Sequence, residues 1–285
     1  MATSINHTRS ISFPPKSYPI LQKIEQELVK LRKAEASSKS LIETICIGLK
    51  GLARLYKCVD DVLSLPLSQQ SLSLSFGNNQ THVKSLVERT FKLLEISGTS
   101  KQIMFRLLES IQGFGVLNKE TEISTYFSLR KEIAKTAKSL VLELRQFEGN
   151  LVSKNEFNEE FEVIRVLKCV SIINISVLES LLKFLGMPLM SSKMTSRSFA
   201  LFSKLMVKKQ RKSGIVEEKL KKTGNELSDV DVVLQAFDEE KVDFSVVKKR
   251  LDVLESSLSG IDYELNNICK QLTKTKASFM NIISV

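Results

Sequence analysis

The sequence predicts an all-α protein, an elongated multi-helix bundle of long antiparallel helices that closes on a C-terminal coiled-coil-like helix. Three observations lead there. Apolar residues return every three or four positions from Ile20 almost to the end of the 285 residues, which is the spacing of one helix face. No stretch alternates apolar and polar residues between turn pairs, as a half-buried strand does. The last segment repeats its apolar residues in steps of four and three, which is a heptad seam.

The elements follow in order. Pro14, Pro15 and Pro19 keep the N-terminal arm extended. After them Ile20, Leu21, Ile24, Leu28 and Leu31 mark a first helix over about 20–35. Ser37 and Ser38 restart the chain into a second helix with the stripe Leu41, Ile42, Ile45, Leu49, Leu52, Tyr56, Val59 and Leu63, which Pro66 ends. Gly77-Asn78-Asn79 is a turn. Beyond it Val83 to Ile111 predict one long helix with a possible kink point at Gly98, closed by Gly113 and Gly115. Thr121 opens a fourth segment with Ile133, Ala134, Ala137, Leu140, Val141, Leu144 and Phe147 on one side and Lys131, Lys135, Lys138 and Arg145 mostly on the other; Gly149 stops it.

The stretch from about 155 to 185 is the most apolar. From Cys169 to Met190 its only charges are Glu179 and Lys183, an i,i+4 pair that supports a helix. Asn174, several serines and that pair argue for a buried bundle helix over a membrane span. Gly186 and Pro188 end it, and residues 191–198 form a linker. In the last helix, Leu251, Leu258, Leu265 and Leu272 take the a positions, while Val247, Leu254, Ile261 and Ile268 take d. Leu at a with Ile at d disfavours a parallel dimer. An antiparallel partner within the chain, near 215–237, satisfies the seam, and a trimeric or tetrameric coil is the rival. The domain reading is an arm over 1–18, an N-terminal helical bundle over 19–190, and a linker with a C-terminal helical hairpin over 191–285, packed with the bundle as one domain.

Charge is uneven along this framework. Forty-two Lys and Arg against thirty-two Asp and Glu give +10, which favours acidic partners such as anionic lipid or acidic protein. Without Trp and with 7% aromatics, the chain has few stacking faces, so nucleic acid is disfavoured. Eight basic residues between Lys204 and Lys222 face Glu217 and Glu218 alone, and the next block, Glu226 to Asp243, holds seven acids against Lys241. The cluster Lys208, Lys209, Arg211 and Lys212 is a candidate for an acidic lipid, a nucleic acid or an import receptor. A solvated helix face neutralised by the following acids is the preferred reading.

Chemistry has little material to work with. His7 and His82 are the only histidines, so histidine-based catalysis has almost no candidates, and His82 reads as a solvated residue near a helix start. Asp60-Asp61 is adjacent on a helix and diverges by about 100°. Gly113-Phe114-Gly115 lacks the third glycine of a phosphate cradle, and no P-loop run is present. Cys46, Cys58, Cys169 and Cys269 show no C-x-x-C pair and read as reduced core residues. No catalytic, metal or cofactor residue is assigned. The expected partners are a protein, met through helix faces, and an anionic membrane surface, with self-association through the seam open.

The arm has no acid before Glu25 and carries Ser, Thr, Arg9 and Lys16, a composition shared by plastid transit peptides and disordered arms, of which the second is preferred. Arg9-Ser10-Ile11-Ser12 also suits a basophilic kinase. It lacks the apolar core of a secretory leader. The expected compartment is the cytoplasm, with a plastid or a membrane periphery as alternatives.

Five stretches together resemble a plant-specific family, the BYPASS-like proteins. They are Arg9-Ser10-Ile11-Ser12 to Tyr18-Pro19, GLKGLARLYKCVDDVLSLPLSQQSL from Gly48 to Leu72, SGTSK from Ser97 to Lys101, VLESLLKFL from Val177 to Leu185, and the ending ASFMNIISV from Ala277 to Val285. The VDDVLSLPLSQQ run is the most specific. The resemblance implies a helical protein linked to root and shoot development and brings no catalytic residues; the residues themselves favour a non-enzymatic interaction protein. The basic block and the short turn after Leu72 are less typical of the family.

Overall fold

The computed structural model describes residues 19–37, 40–77, 81–116, 118–149, 162–189, 226–240 and 242–284. Among these residues the regular structure is helical throughout, without strands. The helices are α1 (Pro19–Ser37), α2 (Leu41–Leu63), α3 (Pro66–Gly77), α4 (Thr81–Gln112), α5 (Lys119–Gly149), α6 (Glu162–Leu185), α7 (Glu226–Asp238) and α8 (Phe244–Ile283). The arm, the 191–198 linker, the basic block and its four candidate residues Lys208, Lys209, Arg211 and Lys212 lie outside the described residues.

Local chemistry sets the boundaries. Ser40, in an extended conformation, accepts the Glu43 N–H at 3.1 Å and caps α2, in place of the expected Ser37 and Ser38. Two residues after Ser64 closes α2, Pro66 begins α3, where a missing N–H costs nothing in the first turn. The serine-rich α3 has no amphipathic stripe to announce it. Its anchors are the fully buried Leu72 and the side chain of Gln69, which donates to the Leu63 carbonyl at 3.0 Å. Between α4 and α5, Gly115 takes φ +103°, a conformation open to glycine, and its N–H donates to Glu122 Oε2 at 2.8 Å. Gly51 serves a different end, because a Cβ there would run into the buried Leu31 side chain, so the glycine lets α1 lie close on α2.

The cross-bridges define the directions. Lys92 with Glu143, and Arg106 with Glu132, run α4 antiparallel to α5; Arg145 with Glu179, and Arg130 with the Leu185 carbonyl, do the same for α5 and α6. Lys101 with Asn266 and Gln112 with Glu255 place α8 antiparallel to α4, while Lys50 with Glu264 and Thr275 with Asp60 place it parallel to α2.

The seam of α8 is buried along its whole length, from Val247 to Leu272, and continues through Thr275, Phe279 and Ile282. Its company is wider than the expected partner near 215–237, of which residues 215–225 lie outside the described residues. The seam lies chiefly between α2 and α4, and α7 touches α8 more sparingly, with the Phe237 and Phe244 rings meeting at the turn, tilted by 44° with centroids 5.9 Å apart. The heptad spacing therefore describes a helix that fills the middle of a bundle. Such a helix needs apolar residues on neighbouring stripes for two partners at once. At the junction of α2, α4, α6 and α8 a cavity of about 10 Å³, enough for one water, lies among Tyr56, Thr90, Ser171, Thr275 and apolar neighbours.

Candidate interaction face

Helix α5 carries the candidate face, and its inner side explains why it is held so firmly. Ile123, Tyr126, Arg130, Ile133, Ala137 and Leu144 all point into the protein. Arg130 is fully buried and is answered on three sides. Its Nε and Nη2 donate to Asp231 of α7 at 3.2 and 3.0 Å, Nη1 donates to the Leu185 carbonyl at 3.1 Å, and Nη2 also donates to the Met187 carbonyl at 3.3 Å. Tyr126 donates to Asp231 Oδ1 at 2.7 Å. One guanidinium thus ties α5, α7 and the chain just past α6, and it satisfies two carbonyls at a helix end that otherwise lack partners.

The electrostatics follow from this packing. Burial opposes the Arg130 charge, but Asp231 outweighs it and holds the guanidinium above its usual range. Burial and then the Asp231 charge push the Tyr126 phenol well above its own. Burial also raises Tyr56, partly offset by the bond it accepts from Asn174 Nδ2 at 2.7 Å. A phenol whose folded pKa is raised keeps its contribution to stability below the ordinary value near 10 and loses it as pH climbs past that value toward the folded one. Unfolding free energy is expected to fall by about 1.4 kcal/mol per pH unit for each of the two buried phenols above that point. Urea titrations at stepped alkaline pH check this. The double variant Tyr56→Phe/Tyr126→Phe should show a shallower alkaline slope, and an unchanged slope contradicts the assignment.

The outer side of α5 is the opposite case. Lys131, Lys135 and Lys138 are exposed, follow one another at helical steps of four and three, and have no ion-pair partner among the described residues. One turn further the stripe ends in Leu142, which is 60% exposed. Arg145 then turns toward α6 and meets Glu179 at 3.0 Å, where Lys183 arrives at 3.1 Å. Burial raises the Glu179 carboxyl, but these two cations hold it below its usual range.

The other candidate residues fall differently. Leu251, Leu258, Leu265 and Leu272 are all buried in the chain's own core, against α2 and α4. Asp60 and Asp61 diverge: Asp60 accepts from Thr275 at 3.0 Å, while Asp61 faces Lys23 at 4.0 Å. Of the four free cysteines only Cys58 is buried outright, and Cys169 is exposed, so the core reading fails for that one. The apolar stretch after Cys169 is the expected bundle helix, with Val170, Ile175, Leu178, Leu181, Leu182 and Phe184 buried. Among the described residues no helix is long and apolar enough to cross a membrane, and no cluster could hold a metal.

Arg130 and Asp231 escaped notice because each looks like one surface charge among many. Their register was the available signal. Arg130 lies four residues after Tyr126 and three before Ile133, and Asp231 lies four after Leu227 and three before Leu234, so both occupy core positions.

Long helices packed side by side, joined inside by the buried Arg130–Asp231 ion pair and carrying an exposed lysine stripe outside, define an all-helical bundle protein. The family model described as Protein BPS1 matches residues 48–282, and the chain belongs to this family, the BYPASS-like proteins. The match takes in the Gly48 to Leu72, Ser97 to Lys101 and Val177 to Leu185 stretches and leaves out the arm. Membership suggests a plant developmental regulator of unknown molecular function, outside the known enzyme families. No curated protein and no solved structure matches the chain.

Proposed function

We propose that the protein is a non-enzymatic interaction protein of plant organ development, of root and shoot by the family resemblance, which presents α5 to an acidic surface on a protein partner. The observation that carries the reading is the unpaired stripe Lys131, Lys135 and Lys138, on a helix whose opposite side is locked by Arg130. A rigid cationic row favours and orients an acidic partner, and its effect weakens as salt screens it. The basic block around Lys208 to Lys212 adds charge of the same sign.

The variant Lys131→Glu/Lys135→Glu/Lys138→Glu tests it. All three positions are exposed, so helicity and melting temperature should stay close to wild type. Recovery of bound proteins from plant extract should fall sharply and in a salt-dependent way. Undiminished recovery by the folded variant removes the α5 face from the proposal. Leu142 at the end of the row keeps a second reading in play, a peripheral attachment to anionic lipid. Sedimentation with phosphatidylserine vesicles separates the two: lipid attachment requires binding at low salt that the triple variant loses.

A further inference from the structure

Arg89 of α4 poses a problem that the described residues do not solve. It is 3% exposed, and its Nε and Nη1 have no hydrogen-bond partner. Nη2 reaches Ser85 Oγ, one turn earlier, at 3.5 Å, beyond the range of a good bond. Thr90, the adjacent hydroxyl, is turned away to the Leu86 carbonyl at 2.9 Å. Lys92, one turn later, is joined to Glu143 at 2.8 Å and Glu95 at 3.0 Å, so those carboxylates are spoken for. The contrast with Arg130 is direct. That guanidinium is buried with a carboxylate and two carbonyls, whereas Arg89 is buried with none.

A buried charge without a counter-charge is among the costliest arrangements in a folded chain, because it gives up hydration and gains nothing in return. Burial alone lowers the Arg89 guanidinium from its usual range, yet an arginine stays charged at any physiological pH. An anion supplies both the charge and the acceptors that the described residues do not. Its N–H fork matches the oxygens of planar or tetrahedral oxyanions, and its stripe reaches the surface on both sides, since Ser85 and Lys92 are part-exposed. We propose that Arg89, with the Ser85 hydroxyl beside it, is the base of an oxyanion-binding site on α4 that takes a phosphate or carboxylate group. The site is separate from the α5 lysine row and does not depend on the role given to that row.

The test uses the full chain and two probes, inorganic phosphate and acetate, each titrated against sodium chloride of equal ionic strength. With the probe well above its dissociation constant, the melting temperature of wild type should rise on the order of 5 °C. Phosphate acting alone points to a phosphate group as the natural ligand, and acetate acting alike points to a carboxylate. Arg89→Met, which keeps the volume and removes the charge, should lose the response and be at least as stable as wild type without probe. The Lys131→Glu/Lys135→Glu/Lys138→Glu variant should keep the response, because its cations lie elsewhere. Isothermal calorimetry of phosphate and acetate into wild type needs no variant and stands if Arg89→Met does not fold. No heat and no thermal shift with either anion overturns the proposal, as does a response that Arg89→Met retains.

Discussion

Asp231→Ala is expected to destabilise the protein by about 3–5 kcal/mol, because it removes one half of a buried ion pair and leaves the other half in place. Arg130 keeps its bonds to the Leu185 and Met187 carbonyls, but its charge then lies buried with no carboxylate, and Tyr126 loses its acceptor. The reverse variant, Arg130→Met, strands Asp231 and frees two carbonyls, so it should cost a similar amount. The double variant Arg130→Met/Asp231→Ala buries no net charge and should cost less than the sum of the two. That non-additivity is the signature of the pair, and it is read from urea midpoints of the three variants in a double-mutant cycle. If Asp231→Ala costs under about 1 kcal/mol, the knot is not what holds α7 to α5.

Much of the fold was legible because it is carried by periodicity, and periodicity is local. The stripes of α2, α4, α5 and α6 can be counted from the chain, and their ends carry chemistry that is also local, as at Pro66 and Gly149. Partner choice is another matter. The α8 seam announced a buried stripe, yet nothing within it distinguishes α7 from α2 and α4 as its cover, since any apolar stripe satisfies a leucine. α3 was missed because its burial rests largely on one leucine amid serines that bond their own helix, Ser71 to the Leu67 carbonyl for instance. The lysine row of α5 was visible at once as a polar side. That Lys131, Lys135 and Lys138 stay unpaired while Lys92 and Arg106 are matched depends on what the neighbouring helices bring, and only the folded arrangement supplies that.

Leu265→Ala is the second large effect, expected at about 3 kcal/mol or more, because the side chain is fully buried where α8 runs between two other helices and the void has little room to collapse. Val253→Ala, on the outer side of the same helix at 52% exposure, should change stability by no more than about 0.5 kcal/mol. The comparison distinguishes a seam closed within the chain from one closed between chains. If the leucines hold one protomer together, the cost of Leu265→Ala is the same at every protein concentration. A seam shared between protomers makes both the wild-type stability and the cost rise with concentration. Melting curves over a hundredfold dilution decide it, and a midpoint that falls on dilution for wild type but not for Leu265→Ala contradicts the packing of α8 against α2 and α4. The same geometry makes deletion of α8 a poor probe of partner binding: it strips the shared cover from α2 and α4 and unfolds the bundle that presents α5. Substitutions on the exposed α5 stripe leave that cover in place, so a lost interaction there reports on the surface and not on the core.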